Sequence, residues 1–502
     1  MLLPYGPWLP DQPDLGTATL IAKNVIAATF NPRSGAVSYK QFRSFANTIS
    51  ALAQRVQGAI AVKAVGAGAY IYAGTASTLQ ELSPGATSFT DRSKVGGYNC
   101  AADHIWGRAR FGNGVYFANI ADPIQVATIG AGTAFEDLSA DAPKARYLAT
   151  VNNFLMAANT WDPDDGFMQN RLWWPAINNP ASWPEIGSDA AAAVQSDRQD
   201  LPDGGAISGI VGGETGVTVV CENKIIRGLF GSSLIFDFIP AEENRGSRYS
   251  ASIIGDGRNV FYIGDDGFFR FNSVQSEPIG TQKVDTWFLG DLDKIHIPRV
   301  CAAIDPVNKL VMWAYPGTGH SLGNPSKLVI YNWAIDCWSY VDLPLGIEYL
   351  VAGLSLGYTL DGLDVLGFTV DNFPYSFDAD ILKGGEPLLL AFDTSHRMGA
   401  FTGSPMQATI TTGEYQLSEG QRSLVTAVRP MVSNVGTSQT VTPITRNRQS
   451  ASTTTGSAST ENAAGVCPMM SEARYHRFQS DIVGGFAHAQ GVEPTFSGSG
   501  DF

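Results

Sequence analysis

The chain has 502 residues, and 33 Lys and Arg against 47 Asp and Glu give it a formal charge of −14. Charged residues make up only 16% and aromatics 11%, while 54 glycines and 27 prolines punctuate the chain at about one residue in six. This composition excludes a membrane-spanning helix, which needs roughly 18 consecutive apolar residues. It also argues against a mainly helical fold, for which Glu, Lys and Arg are too scarce, and against a duplex-wrapping protein, which relies on clustered Lys and Arg.

The N-terminal flank, residues 1–58, opens on MLLPYGPWLPDQPD, a proline-rich extended stretch. It lacks the basic region and continuous apolar core of a cleaved leader, so no signal peptide is expected. Gln41–Arg55 (QFRSFANTISALAQR) reads as one or two helical turns. This flank is expected to form an arm that joins a platform.

From 59 to 401 the chain repeats a theme of alternating apolar strand, Gly/Asn/Asp turn and second strand, which is the hairpin signal. Units occur at Ala69–Leu82, Gly112–Gln125, Val151–Asn159 with Arg171–Trp174, Gly216–Phe230 and Gly257–Phe271. Another joins Asn308–Tyr315 to Lys327–Trp338, and weaker echoes lie at Leu363–Phe377 and Leu388–Phe401. A spacing of about 40 to 60 residues is that of β-propeller blades, whose sheets must stack around an axis to bury both faces. The expected fold is all-β: a propeller of six or seven blades plus a β-rich platform built from the two flanks. The C-terminal flank, 402–502, carries long alternating runs at Met406–Leu417, Ser423–Val432 and Arg474–Glu493. Between them the Ser/Thr/Gly-rich stretch Gln449–Gly465 reads as a flexible loop.

A search for chemistry yields no catalytic residue, no metal ligand set and no cofactor loop. Cys100, Cys221, Cys301, Cys337 and Cys467 are odd in number and lack C-x-x-C spacing, which points to reduced, buried thiols in a protein assembled in the cytoplasm. His104, His296, His320, His396, His476 and His488 fall singly. Gly66-Ala67-Gly68 and Gly317-Thr318-Gly319 lack the third glycine and following helix of a dinucleotide loop and read as turns. Asp162-Pro163-Asp164-Asp165-Gly166 has the carboxylate density of a calcium loop without its downstream Glu; with Gly264-Asp265-Asp266-Gly267, it reads as a hairpin turn. The carboxylate groups Asp256, Asp265, Asp266 and Asp361, Asp364 are expected in surface turns, and Trp173, Trp174, Trp183, Trp313, Trp333 and Trp338 in the core.

Several segments carry a more specific likeness. RFGNGVYFANIADPIQ, FEDL, APKARYLATV and RLWWPAINNPASW follow in order between Arg110 and Trp183. PIGTQKVDTWFLGDLD (Pro278–Asp293), DPVNKLVMWAY (Asp305–Tyr315) and YNWAIDCWSY (Tyr331–Tyr340) come next. Trp8-Leu9-Pro10-Asp11, Asn24-Val25 and His488-Ala489-Gln490-Gly491-Val492 extend it to the ends. In this order the chain resembles the tail nozzle, or packaged-DNA stabilisation (tail hub), proteins of short-tailed bacteriophages (podoviruses).

The resemblance implies a non-enzymatic virion protein that forms a ring, usually a hexamer. It would sit below the portal's head-to-tail adaptor, extend the channel through which double-stranded DNA leaves, and carry tailspikes, fibres or a needle. Six copies would carry 6 × (−14) = −84, so the channel lining is expected to be acidic or neutral and to let DNA slide without specific binding. Gly317–Ser326 and Gln449–Gly465 are candidates for a loop that constricts the channel. The alternative from another class is a propeller that binds or hydrolyses surface glycans, although the S-x-D-x-G-x-x-W turns of sialidases do not occur.

Overall fold

The computed structural model describes residues 1–500 except 15, 17, 30–36, 48, 65–67, 232–234, 321–322, 355–386 and 434–437. The echo at Leu363–Phe377, the pair Asp361 and Asp364, and Gly66-Ala67 lie outside the described residues.

Alternating apolar side chains with short turns pair locally, so each repeat becomes an antiparallel meander. Among the described residues these meanders form seven blades, over 58–91, 107–137, 144–200, 207–243, 254–278, 301–342 and 347–400. Gly264-Asp265-Asp266-Gly267 shows the turn chemistry, closing the hairpin between Val260–Gly264 and Gly267–Phe271 with both aspartates in solvent. The first strand of every blade faces the axis. A cavity of about 230 Å3 there is lined by Ile60, Arg108, Leu148, Ile210, Ile254, Ala302 and Tyr349, one residue from each first strand.

Apolar clusters fill the spaces between neighbouring blades. Trp106, fully buried between blades one and two, donates its indole Nε1 to Thr75 O at 2.8 Å, so the large ring contributes burial without leaving a donor orphaned. Burial of such side chains stabilises by about 1.5–3 kcal/mol each.

Where a helix is expected at Gln41–Arg55, the described residues form no helix. The strand Ala46–Asn47 pairs with Met398–Ala400 as the fourth, outermost strand of blade seven, so the N-terminal flank closes the ring. Phe42, Ile49, Leu52 and Val56 have helix-like spacing, yet they bury in the core shared by blades one, six and seven. Tertiary burial overrides a weak local preference.

The flanks build a two-sheet platform. One sheet orders Val25–Thr29, Val37–Gln41, His488–Gly498, Ser423–Ser433 and Cys467–Ala473, with Leu3–Pro4 also on His488–Gly498. The other is continuous with blade six: Cys337–Asp342 is followed by Ile21–Lys23, Ala408–Thr411, Tyr475–Val483 and Ser438–Arg446. The two sheets share one apolar core, in which Tyr5 donates across to Ser480 Oγ at 2.6 Å. Gln449–Gly465 is not a structureless loop. Thr454–Thr455 and Ser459–Thr460 fold back and pair with Ser438–Arg446, because its threonines and serines satisfy an otherwise open sheet edge.

Ring closure yields a direct prediction. At Gly399, which faces Asn47, a Cβ would lie 2.2 Å from Ala46 O. Gly399→Ala should therefore displace the closing strand, lower the thermal midpoint by several degrees and speed amide exchange at Ala46–Asn47 and Met398–Ala400, with blades two to four unchanged. Unaltered exchange at both strands would show that the closure does not depend on this contact.

Candidate functional site

Of the segments that carry the sequence likeness, those at Trp8–Asp11 and Asn24, in Pro278–Asp293 and in blade six meet at one junction of arm, propeller and platform. The arm reaches it through Trp8, buried and 4.9 Å by ring centroid from both Trp287 and Tyr340. Two residues of the connection between blades five and six then meet Asp11. Its carboxylate accepts from the backbone N–H groups of Thr286 (2.8 Å) and Trp287 (2.9 Å), at the start of the short helix Asp285–Asp291. That helix has no side-chain cap of its own from Val284, so a residue some 275 positions earlier satisfies its free donors.

Behind the helix lies an aromatic cluster. Phe268 packs against Phe288, Trp313 and Trp338 at 4.6, 4.8 and 4.9 Å. The two indoles donate to Ser252 O and Ile279 O, so blades five and six are joined by burial and by satisfied polar contacts together. Lys283 meets Asp336 at 2.6 Å, and Lys327 meets Asp291 at 2.8 Å. Asn24 completes the junction from the arm. Its amide accepts from Asp342 N–H and donates to Gln407 O, linking blade six to the platform, and its φ of 57° suits asparagine.

Asp285 is the unusual group here. It is 7% exposed, accepts from Phe268 N–H at 3.0 Å and from Thr281 Oγ1 at 3.3 Å, and fills the space above two glycines. A Cβ at Gly280 would fall 1.9 Å from its Oδ1, and one at Gly267 2.1 Å from its Cγ. Burial pushes its carboxyl up to about 6, against the hydrogen bond from Phe268.

The calcium-like turn in blade three is occupied by an arginine. Asp162 Oδ1 accepts from the N–H groups of Asp164 and Asp165, while its Oδ2 takes Arg171 Nη1 at 3.0 Å. Arg171, 4% exposed, also binds Asp165 and grips Asp200 with Nε and Nη2. The hydrogen bonds from Arg171 hold the Asp165 and Asp200 carboxyls below their usual range. The carboxylates thus serve a guanidinium that pins the hairpin.

The remaining candidates disperse. All five cysteines are free and buried, and burial pushes their thiols up to about 11 or 12. His296 meets Asp293, His396 meets Glu348, His476 contacts Ser423 and His488 contacts Ser38, each in a different part of the fold. Asp256 accepts from the N–H groups of Arg258 and Asn259 in its own turn. Trp173, Trp174, Trp183, Trp313 and Trp338 are buried, and Trp333 packs half-buried against the core. Gly317 and Thr318 are tied to Ser326 and Asp291. Among the described residues no helix is long and apolar enough to cross a membrane, and no group of three His, Cys, Asp or Glu is placed to hold a metal ion. The capping role of Asp11 has no local signal; only the isolated WLPD motif marked it.

Two predictions follow from the buried charges. The folded value of Asp285 lies above its unfolded 3.8, so its contribution is full below about pH 4 and is lost as the pH rises through 6. Asp285→Asn keeps an acceptor for Phe268 N–H. It should be more stable than the parent at pH 7.5 by on the order of 2 kcal/mol, with the difference closing toward pH 4 in denaturation curves; a gap independent of pH would refute the assignment. Arg171→Met leaves Asp162 buried and unpaired and should cost about 3 kcal/mol. Adding Asp162→Asn should recover part of that loss, and a purely additive double variant would argue against the pairing.

No family model matches the chain, and no curated protein matches it. Among solved structures, one chain in the crystal structure of a mitotic checkpoint complex is similar over 74% of this chain and 96% of its own length, at 9% identity and a TM-score of 0.39.

Proposed function

We propose that the chain is a structural subunit of a short-tailed bacteriophage tail, a ring-forming nozzle below the portal adaptor. In this reading the platform forms the tube, the propeller projects as the body that supports spikes, fibres or a needle, and no catalytic step is involved. The observation that carries it is the convergence of Trp8–Asp11, Asn24, the Asp285–Asp291 helix and the blade-six strands on one junction. These are segments on which the sequence resemblance rests, and they hold the platform to the propeller.

A homomeric ring needs head-to-tail interfaces that close by rotation. A ring of identical acidic subunits would carry a large net negative charge that disfavours holding DNA phosphates, so in this reading the genome passes through rather than binding. The protein would reach the virion tail after assembly in the host cytoplasm. Light scattering coupled to size-exclusion chromatography tests the core of the proposal: the expected mass is that of about six subunits, alone or on adding the adaptor protein. A chain that stays monomeric with the adaptor present would overturn it.

A further inference from the structure

The propeller axis opens into a recess of about 310 Å3 on the face where the first strands begin. His104 lies just before blade two, Arg146 near the start of blade three, and Arg248 and Ser250 just before blade five. Tyr147 and Ser250 line both this recess and the narrower axial cavity, so the recess is its mouth.

In a chain of charge −14 this mouth is basic. Arg146 and Arg248 line it, Arg55 donates to Ala102 O at its rim, and Arg299 lies 3.8 Å from Asp103. Deeper on the axis, Arg108 sits 5.3 Å from the Tyr349 ring. Asp103 is the one carboxylate among the described lining residues, and its side chain is 63% exposed; Glu222 acts electrostatically on Tyr147. Burial and then the nearby Arg146 hold His104 below the usual imidazole range. The Nε of Arg146 is buried without a hydrogen-bond partner among the described residues.

An aromatic surface adjoins the mouth. Lys144, Trp161 and Phe167 form one cross-strand row in blade three, with Trp161 36% and Phe167 40% exposed. Lys144 Nζ lies 4.9 Å from the Trp161 ring, and the Arg146 guanidinium 5.4 Å from the Phe167 ring. Arg146 therefore belongs to both the recess and the row. Ring faces take the C–H face of a pyranose, and guanidinium groups take carboxylate or phosphate oxygens in pairs.

We propose that this mouth binds an acidic saccharide, with Arg146 and Arg248 holding its carboxylate or phosphate and Trp161 and Phe167 stacking on the sugar ring. The site lies within one propeller and does not depend on ring assembly.

Calorimetric titration of the full chain with trigalacturonate, mannose 6-phosphate, neutral galactotriose and inorganic phosphate tests the proposal. At least one acidic sugar should bind. Its Kd should weaken about tenfold or more in Arg146→Ala, in Arg248→Ala and in Trp161→Ala, and stay unchanged in Arg429→Ala on the platform. Arg248 is exposed, so its variant keeps the fold even if Arg146→Ala does not. Failure of both acidic sugars to bind, equal binding of galactotriose, or phosphate binding as tight as either sugar would each overturn the assignment.

Discussion

A four-stranded blade ends in an open row of N–H and C=O groups, and such an edge must be paired, covered or left to solvent. The whole molecule depends on how the outer edge of blade six is treated. Lys23 pairs in parallel with Tyr340, Asn24 N–H donates to Tyr340 O, and the Asn24 side chain bonds both Asp342 and Gln407. The propeller sheet thereby continues into the platform without a break. Two bodies joined by a linker would be free to reorient; two bodies sharing a sheet and an aromatic core are not.

Buried polar groups act as pins around this edge, and their worth differs from that of the apolar core. Apolar burial supplies most of the free energy but is non-directional. Asp11, on two N–H groups of the Asp285–Asp291 helix, and Asp285, on Phe268 N–H and the Thr281 hydroxyl, each satisfy particular donors and so select one arrangement of arm, helix and blade. Asp285 does so at a cost, since its charge is buried at neutral pH. The Arg171 cluster plays the equivalent part in blade three, where charge meets opposite charge and the burial is compensated. The two sites show a buried carboxylate held in two ways, by neutral N–H and O–H donors alone or by pairing with a cation.

The hairpins were readable because their partners are neighbours in sequence. Val260–Gly264 and Gly267–Phe271 need only alternation and a Gly-Asp-Asp-Gly turn to be recognised. What escaped was nonlocal. The closing strand Ala46–Asn47 finds its partner some 350 residues later, and the spacing of Phe42, Ile49, Leu52 and Val56 imitates a helix. Asp162 and Asp165 read as an acidic turn because their counterion, Arg171, sits on the returning strand and meets them only once the hairpin has folded. The fold of Gln449–Gly465 was hidden for a related reason: Ser and Thr in a glycine-rich run signal a loop unless an edge is available to receive them.

The basic mouth was the least readable feature, because Arg55, Arg146, Arg248 and Arg299 come from four separate connections and elements. Net charge is a sum over the chain and says nothing about where opposite charges gather. A propeller converts residues scattered at blade spacing into a ring around one axis, so a chain acidic overall can present a concentrated positive field at one point. A few guanidinium groups gathered around one recess act together on a single acidic group, as the same number spread over the rim would not. The overall acidity then works with the mouth rather than against it: it repels anionic polymers from the body of the protein while leaving one cationic recess, shaped by the blades, where a single acidic group can be held.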